Sequence, residues 1–216
     1  MALTLVIGNK KYSSWSLRPW IAMKVAGIPF EEKLVQLYTP ETRETLLDYS
    51  PAGKVPVLLD GDLRIWESLA ILEHLSERFP QAALWPSDPA ARAHARTISA
   101  EMHAGFAALR AHCPMNVARK RARALTPDVA ADVKRIDALW SESRRRFGAD
   151  GPFLFGKFCA ADAMYAPVAS RVISYELDVG ADSRRYVEAI AAMPAFQEWV
   201  TAGLAEPWDI VGNDPD

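Results

Sequence analysis

Cysteine is almost missing from this chain. Cys113 and Cys159 are the only two, far apart and in neither a CxxC nor a metal-ligand spacing. A disulfide framework and a thiolate metal site are therefore excluded, and a reducing cytoplasm is the expected compartment. Long apolar runs are missing too: none reaches the roughly 20 residues that a bilayer crossing needs. The net charge is only −2, which gives no overall reason to expect nucleic acid or an anionic membrane as partner. Histidine is sparse. His74, His94, His103 and His112 sit in no recognisable hydrolase motif, and G-x-S-x-G is absent, so a serine hydrolase is set aside. The N-terminus opens on a strand-like Leu3-Thr4-Leu5-Val6-Ile7 and lacks the basic start and cleavage site of a signal peptide.

What is present is ordinary for a soluble globular protein. Half of the 216 residues are hydrophobic and about a quarter are charged, enough for one large domain or two small ones with proper cores. The basic runs Arg119-Lys120-Arg121-Ala122-Arg123 and Arg144-Arg145-Arg146 read as solvated helix faces.

Periodicity divides the chain in two. Residues 1 to about 80 read β-α-β-α-β-β-α. Leu3–Ile7 is a strand and Ser16–Ala26 a helix closed by Gly27. Phe30–Leu37 is a second strand, and Thr39–Leu47 a short helix. A hairpin and a third helix follow, an order consistent with a thioredoxin-like α/β half. A proline-rich linker runs from Phe79-Pro80 to Pro86-Ser87-Asp88-Pro89, where Asp88 as N-cap and Pro89 at the first helical position open the next helix. Residues 88–216 read as all-helical, with helices over 90–113, 126–147, 160–177 and 183–202.

The most informative stretch is Gly53-Lys54-Val55-Pro56-Val57-Leu58-Leu59-Asp60. A proline in an apolar β-like run removes a ladder donor and marks an edge, a strand start or a bulge. Asp60-Gly61-Asp62 reads as a tight hairpin. Glu67-Ser68 then opens a helix carrying Leu69, Leu72, Leu75 and Phe79 at helical spacing. A backbone donor beside the proline and an adjacent helix N-terminus can together hold an extended backbone and a carboxylate.

This unit resembles the glutathione site of the cytosolic glutathione transferases, in which the Val-Pro peptide is cis and Glu-Ser binds the γ-glutamyl end of glutathione. Tyr12-Ser13-Ser14-Trp15-Ser16-Leu17-Arg18 resembles the Ser-Ser-Cys-Ser-Trp-Arg signature of the zeta class, with Trp15 in place of cysteine. Ala161-Asp162-Ala163-Met164-Tyr165-Ala166-Pro167 is similar to the Asp-containing start of the family's buried C-terminal helix. The resemblance implies the glutathione transferase fold, glutathione as co-substrate, a small-molecule electrophile as second substrate, and a homodimer. It also implies a structural role for Asp162 in a capping box, with Cys159 as a weak cap.

On this reading serine acts as a hydrogen-bond donor. A free thiol has a pKa of about 8.5, and lowering it by roughly two units requires about 2.7 kcal/mol. A hydrogen bond to a charged group supplies roughly 1.5–3 kcal/mol and a helix N-terminus about 0.3–1, so one hydroxyl suffices without a general base. The resemblance places Ser13 against the sulfur, with Ser14 as the reserve and Tyr12 as a further candidate. The serines also serve as helix caps. The absent cysteine argues against thiol exchange at this turn and weakens a specific claim to maleylacetoacetate isomerisation. Lys54 is expected to reach the glycyl carboxylate, Val55 to pair with the cysteinyl unit, Glu67 to hold the γ-glutamyl amine and Ser68 its carboxylate, with Trp15 beside them. Met102, Phe106, Arg110 and Cys113, at i, i+4, i+8 and i+11 of one helix, are expected to line an electrophile pocket with Tyr12, with His103 alongside. Ordinary core packing is their competing reading. The function expected is conjugation of glutathione to small, largely apolar electrophiles. Glutathione-dependent isomerisation and a non-catalytic binding or regulatory module are the alternatives.

Overall fold

The structure, a computed structural model, describes residues 2–210. Four strands, β1 (Leu3–Ile7), β2 (Phe30–Leu34), β3 (Val57–Asp60) and β4 (Leu63–Trp66), form one sheet in the order β2-β1-β3-β4. β1 pairs parallel with β2 and antiparallel with β3, and β3 pairs antiparallel with β4. Helices α1 (Ser14–Val25), α2 (Thr42–Leu47) and α3 (Ser68–Arg78) complete this half. It is the thioredoxin-like unit expected from the sequence.

After the linker the chain is helical: α4 (Pro89–Ala104), α5 (Ala107–His112), α6 (Pro127–Phe147), α7 (Ala160–Tyr175), α8 (Ala181–Ala191) and α9 (Pro194–Ala205). The Asp88 side chain accepts the Ala91 N–H at 2.7 Å, with Pro89 at the first helical position. Two of the expected helices are each split. Met193 is extended before Pro194, whose ring disfavours helical backbone in the preceding residue, and this separates α8 from α9. Gly105 and Phe106 separate α4 from α5, since Gly105 closes α4 on the Glu101 carbonyl and Phe106 takes a left-handed φ of 58°. The second strand is also shorter than expected, and α2 starts at Thr42.

The seam between the halves is α1 against α7. Every residue of α1 from Ser16 to Met23 is buried, and in α7 only Ile173 is not fully buried. Helices buried on nearly every side belong in a core, and the apolar residues of these two share one. Trp20 of α1 meets Trp199 of α9 edge to face, ring centroids 5.1 Å apart, an arrangement that adds about 0.5–1.5 kcal/mol beyond area burial. Among the described residues no helix is long and apolar enough to cross a membrane.

Candidate functional site

Strand register builds the site. Val6 of β1 pairs with Val57 at the start of β3, and Val57 pairs with Trp66 at the end of β4. The turn after β1, the segment before β3 and the Glu67-Ser68 corner after β4 therefore meet at one sheet edge. These three segments, separated in sequence, come together there.

The turn from Gly8 to Ser13 is tightly held. Tyr12 and Ser13 donate their amides to the Asn9 carbonyl, and the Asn9 side chain accepts the Leu37 amide. Glu206, just beyond α9, accepts the Lys10 and Lys11 amides at 2.6 and 3.1 Å, and Trp199 donates to the Lys10 carbonyl. Ser13 is the N-cap of α1. Its Oγ accepts the Ser16 amide and donates to Ser16 Oγ at 2.8 Å. Ser14, one residue on, lies on the cleft wall and makes no side-chain hydrogen bond among the described residues. The two hydroxyls thus differ: one is committed to the cap and the other is available. The Tyr12 hydroxyl is already engaged, donating to Asp209 and accepting the Ile210 amide.

The Val55–Pro56 peptide is cis, as the resemblance implies. Across the edge, Glu67 adopts φ 71° and ψ 121° immediately before α3. Positive φ in a non-glycine residue costs on the order of 1–3 kcal/mol and clusters at ligand clamps. Ser68, fully buried, begins α3, and its Oγ is met by the Arg18 guanidinium at 3.5 Å. Arg18 lies 3.9 Å below the Trp15 ring. Burial, with Arg171 and Arg110 nearby, holds its pKa well below the ordinary value. Among the described residues its Nε and one terminal nitrogen have no hydrogen-bond partner. His103 contacts Trp15 edge to face at 5.3 Å and lies 3.3 Å from the Glu67 carboxylate. Burial lowers its pKa.

Trp15 stands between two cavities. The larger, about 830 Å³, lies between the two halves and is lined by Tyr12, Ser13, Ser14, Trp15, Lys54 and Val55 on one side and Arg110, Arg123 and Arg171 on the other. The smaller, about 260 Å³, is lined by Trp15, Lys54, Val55, Pro56, Glu67, Ser68 and His103. The larger is of the size that holds small molecules.

Of the expected electrophile residues, only Tyr12 and Arg110 reach the cleft. Met102, Phe106 and Cys113 are core residues, at most 7% exposed. The break at Gly105-Phe106 rotates α5 relative to α4, so the four do not share one face, and the apolar three turn into the helical core. Two arginines went unassigned in the sequence reading. Arg18 closes the serine motif, and Arg171 is the one charged residue in α7 after Asp162. A lone arginine inside an otherwise apolar helix is the signal that marks it.

Comparison with known proteins agrees with this geometry. Residues 12–78 match the family described as Glutathione S-transferase, N-terminal domain. The maleylacetoacetate isomerase of Pseudomonas aeruginosa is 30% identical over 200 residues, 86% of this chain and 91% of that protein. A probable maleylacetoacetate isomerase of Caenorhabditis elegans is 43% identical over 95 residues, so the match spans 44% of each chain, less than half of that relative. Among solved structures, a glutathione transferase homolog from Burkholderia GL BGR1 with bound glutathione superposes with a TM-score of 0.71. It is 26% identical, and the match covers 95% of this chain and 100% of that one. The chain belongs to the cytosolic glutathione transferase family.

Proposed function

We propose that this protein is an enzyme that binds glutathione along Lys54-Val55 and joins its sulfur to a small electrophile in the interdomain cleft. The observation that carries the reading is the convergence of the serine turn, the Val55–Pro56 peptide and the Glu67-Ser68 corner at one sheet edge. Glutathione laid there has its γ-glutamyl carboxylate at the N-terminus of α3 and the Ser68 hydroxyl, its ammonium at Glu67, and its glycyl carboxylate within reach of Lys54. Its sulfur then faces the N-terminus of α1. Ser14 is the donor to the thiolate because its proton is uncommitted, while Ser13 holds the helix start and presents Ser14 in place. Trp15, where the zeta signature has cysteine, walls off the γ-glutamyl pocket from the cleft.

Retention on immobilised glutathione, together with a conjugation assay, tests the reading. No retention and no conjugate would overturn it. The Ser68→Ala variant is expected to bind glutathione more weakly by about 1–3 kcal/mol, because a charged group loses a donor. Isothermal calorimetry measures this, and unchanged affinity would place the carboxylate elsewhere.

The similarity to the Pseudomonas isomerase over most of both chains supports a second reaction at the same site. That reaction is glutathione-dependent isomerisation, in which the thiolate is returned and not consumed. Glutathione-dependent isomerisation without accumulation of a conjugate would favour it. A homodimer suits the exposed Tyr38, Leu63 and Trp66 on the first half, which are 73%, 56% and 40% accessible. A monomeric mass by light scattering would reject it.

A further inference from the structure

The helical wall of the cleft carries an unusual charge pattern. Arg110, Arg123 and Arg171 line it, Arg43 and Lys54 face them from the first half, and among the described residues no lining residue is acidic. This concentration stands out in a chain whose net charge is −2. Arg171 is 3% exposed, yet among the described residues it forms no ion pair. Its Nε donates to the Cys113 carbonyl at 2.8 Å and a terminal nitrogen to the Pro167 carbonyl at 3.3 Å. Arg110 donates to the Met102 and Gly105 carbonyls, and Arg123 to the His112 carbonyl. The carboxylate acting on Arg110 is that of Asp132, which accepts the Leu109 amide instead. Three guanidiniums are thus fixed in direction by neutral carbonyls, and among the described residues none of them is in direct contact with a carboxylate.

Burying a guanidinium without an anion is expensive, and removing one member of a buried charged set usually costs several kcal/mol. Here burial and the neighbouring Arg110 pull the Arg171 pKa down to about 10, so it still carries its proton at neutral pH. Glutathione, in the binding mode proposed above, does not use these residues. Its charged groups are taken up by Ser68, Glu67 and Lys54. Among the described residues, the helical wall holds no anion against these arginines.

We propose that the electrophile itself carries a carboxylate, bound by Arg171 and Arg110 across the cleft from the serine turn. Guanidinium forks match carboxylate geometry and bind it with two parallel hydrogen bonds. A charged pocket of this kind selects against neutral electrophiles of the same shape, because it leaves the arginines unpaired when they bind. This rests on the glutathione-binding reading and narrows its second substrate from apolar to anionic. For an alkyl halide carrying a benzoate, the thiolate attacks the benzylic carbon, the new S–C bond forms as the C–Cl bond breaks, and chloride leaves with the electron pair.

Two stable product analogues test the inference without depending on turnover: S-(4-carboxybenzyl)glutathione and its neutral counterpart S-(4-carbamoylbenzyl)glutathione, measured by calorimetry beside glutathione. The acid is expected to bind at least tenfold more tightly than the amide. That ratio should fall to near one in Arg171→Gln and fall severalfold in Arg110→Gln, whose partly exposed position spares the core if Arg171→Gln does not fold. Equal affinities for acid and amide with glutathione still bound would overturn the anionic site and leave the glutathione reading standing. A ratio that survives both substitutions would also overturn it. Failure to bind glutathione or either analogue would overturn both readings together.

Discussion

Replacing Ser14 by alanine is expected to raise the pKa of the enzyme-bound glutathione thiol by about one to two units, the equivalent of the roughly 1.5–3 kcal/mol carried by a hydrogen bond to a charged group. Turnover near pH 6.5 should then drop about 10- to 100-fold and recover as the pH approaches 9, where the thiolate forms unaided. The argument is one of available protons. Ser13 Oγ already gives its proton to Ser16 Oγ and accepts the Ser16 amide, so turning it toward a sulfur would sacrifice the cap. Ser14 gives up nothing. Ser13→Ala should act chiefly through lost capping, about 0.5–2 kcal/mol of stability, with a smaller change in the titration. Ultraviolet thiolate absorbance of the binary complex, followed against pH, reads the difference directly. A shift in Ser13→Ala without one in Ser14→Ala assigns the sulfur to Ser13. No shift in either leaves the amides at the start of α1 holding it.

The largest effect on stability is expected at Asp162. Its carboxylate, fully buried, accepts the Leu154 amide at 3.1 Å and the Cys159 amide at 2.8 Å, and it joins Cys159 in a capping box at the start of α7. Asp162→Ala strands both donors inside the core, each worth about 1–3 kcal/mol, for a total loss of roughly 2–5 kcal/mol. Against a typical stability of about 5–15 kcal/mol, that is a large share, and denaturant unfolding will measure it. Burial pushes the carboxyl pKa from 3.8 up to about 6, with the two amides holding it down against that trend. Because the folded-state pKa lies above the unfolded one, the group contributes stability that is complete below about pH 4 and declines as pH rises through 6. Asp162→Asn should remove that slope while retaining one acceptor. An unchanged pH profile in this variant would mean that the carboxyl stays ionised in the fold.

Much of the first half was legible because its signals are local. Pro56, the Asp60-Gly61-Asp62 hairpin and the Glu67-Ser68 helix start each act within a few residues, and together they specify a sheet edge. The split at Pro194 was equally local, since proline constrains the residue before it; the alanine-rich periodicity on either side concealed it. The break at Gly105-Phe106 is different. Glycine alone is tolerated in a helix, and it is the burial of Phe106, which is 7% exposed, that selects a left-handed corner there. Helical spacing therefore assigned Met102, Phe106 and Cys113 to a cleft that they do not reach. The roles of Arg18 and Arg171 were hidden because they depend on partners distant in sequence.

The clamp of Glu206 on the serine turn ties the two ends of the described chain together. The amide hydrogens of Lys10 and Lys11 exchange with solvent only when that carboxylate lets go, so their exchange rates report the undocking of the segment beyond α9. If such undocking requires less free energy than global unfolding, as is common for terminal segments, gentle warming will loosen the serine turn while the sheet and the α1–α7 seam remain closed. Heat inactivation would then precede melting, and the gap between the two temperatures would measure how firmly this one carboxylate holds the turn.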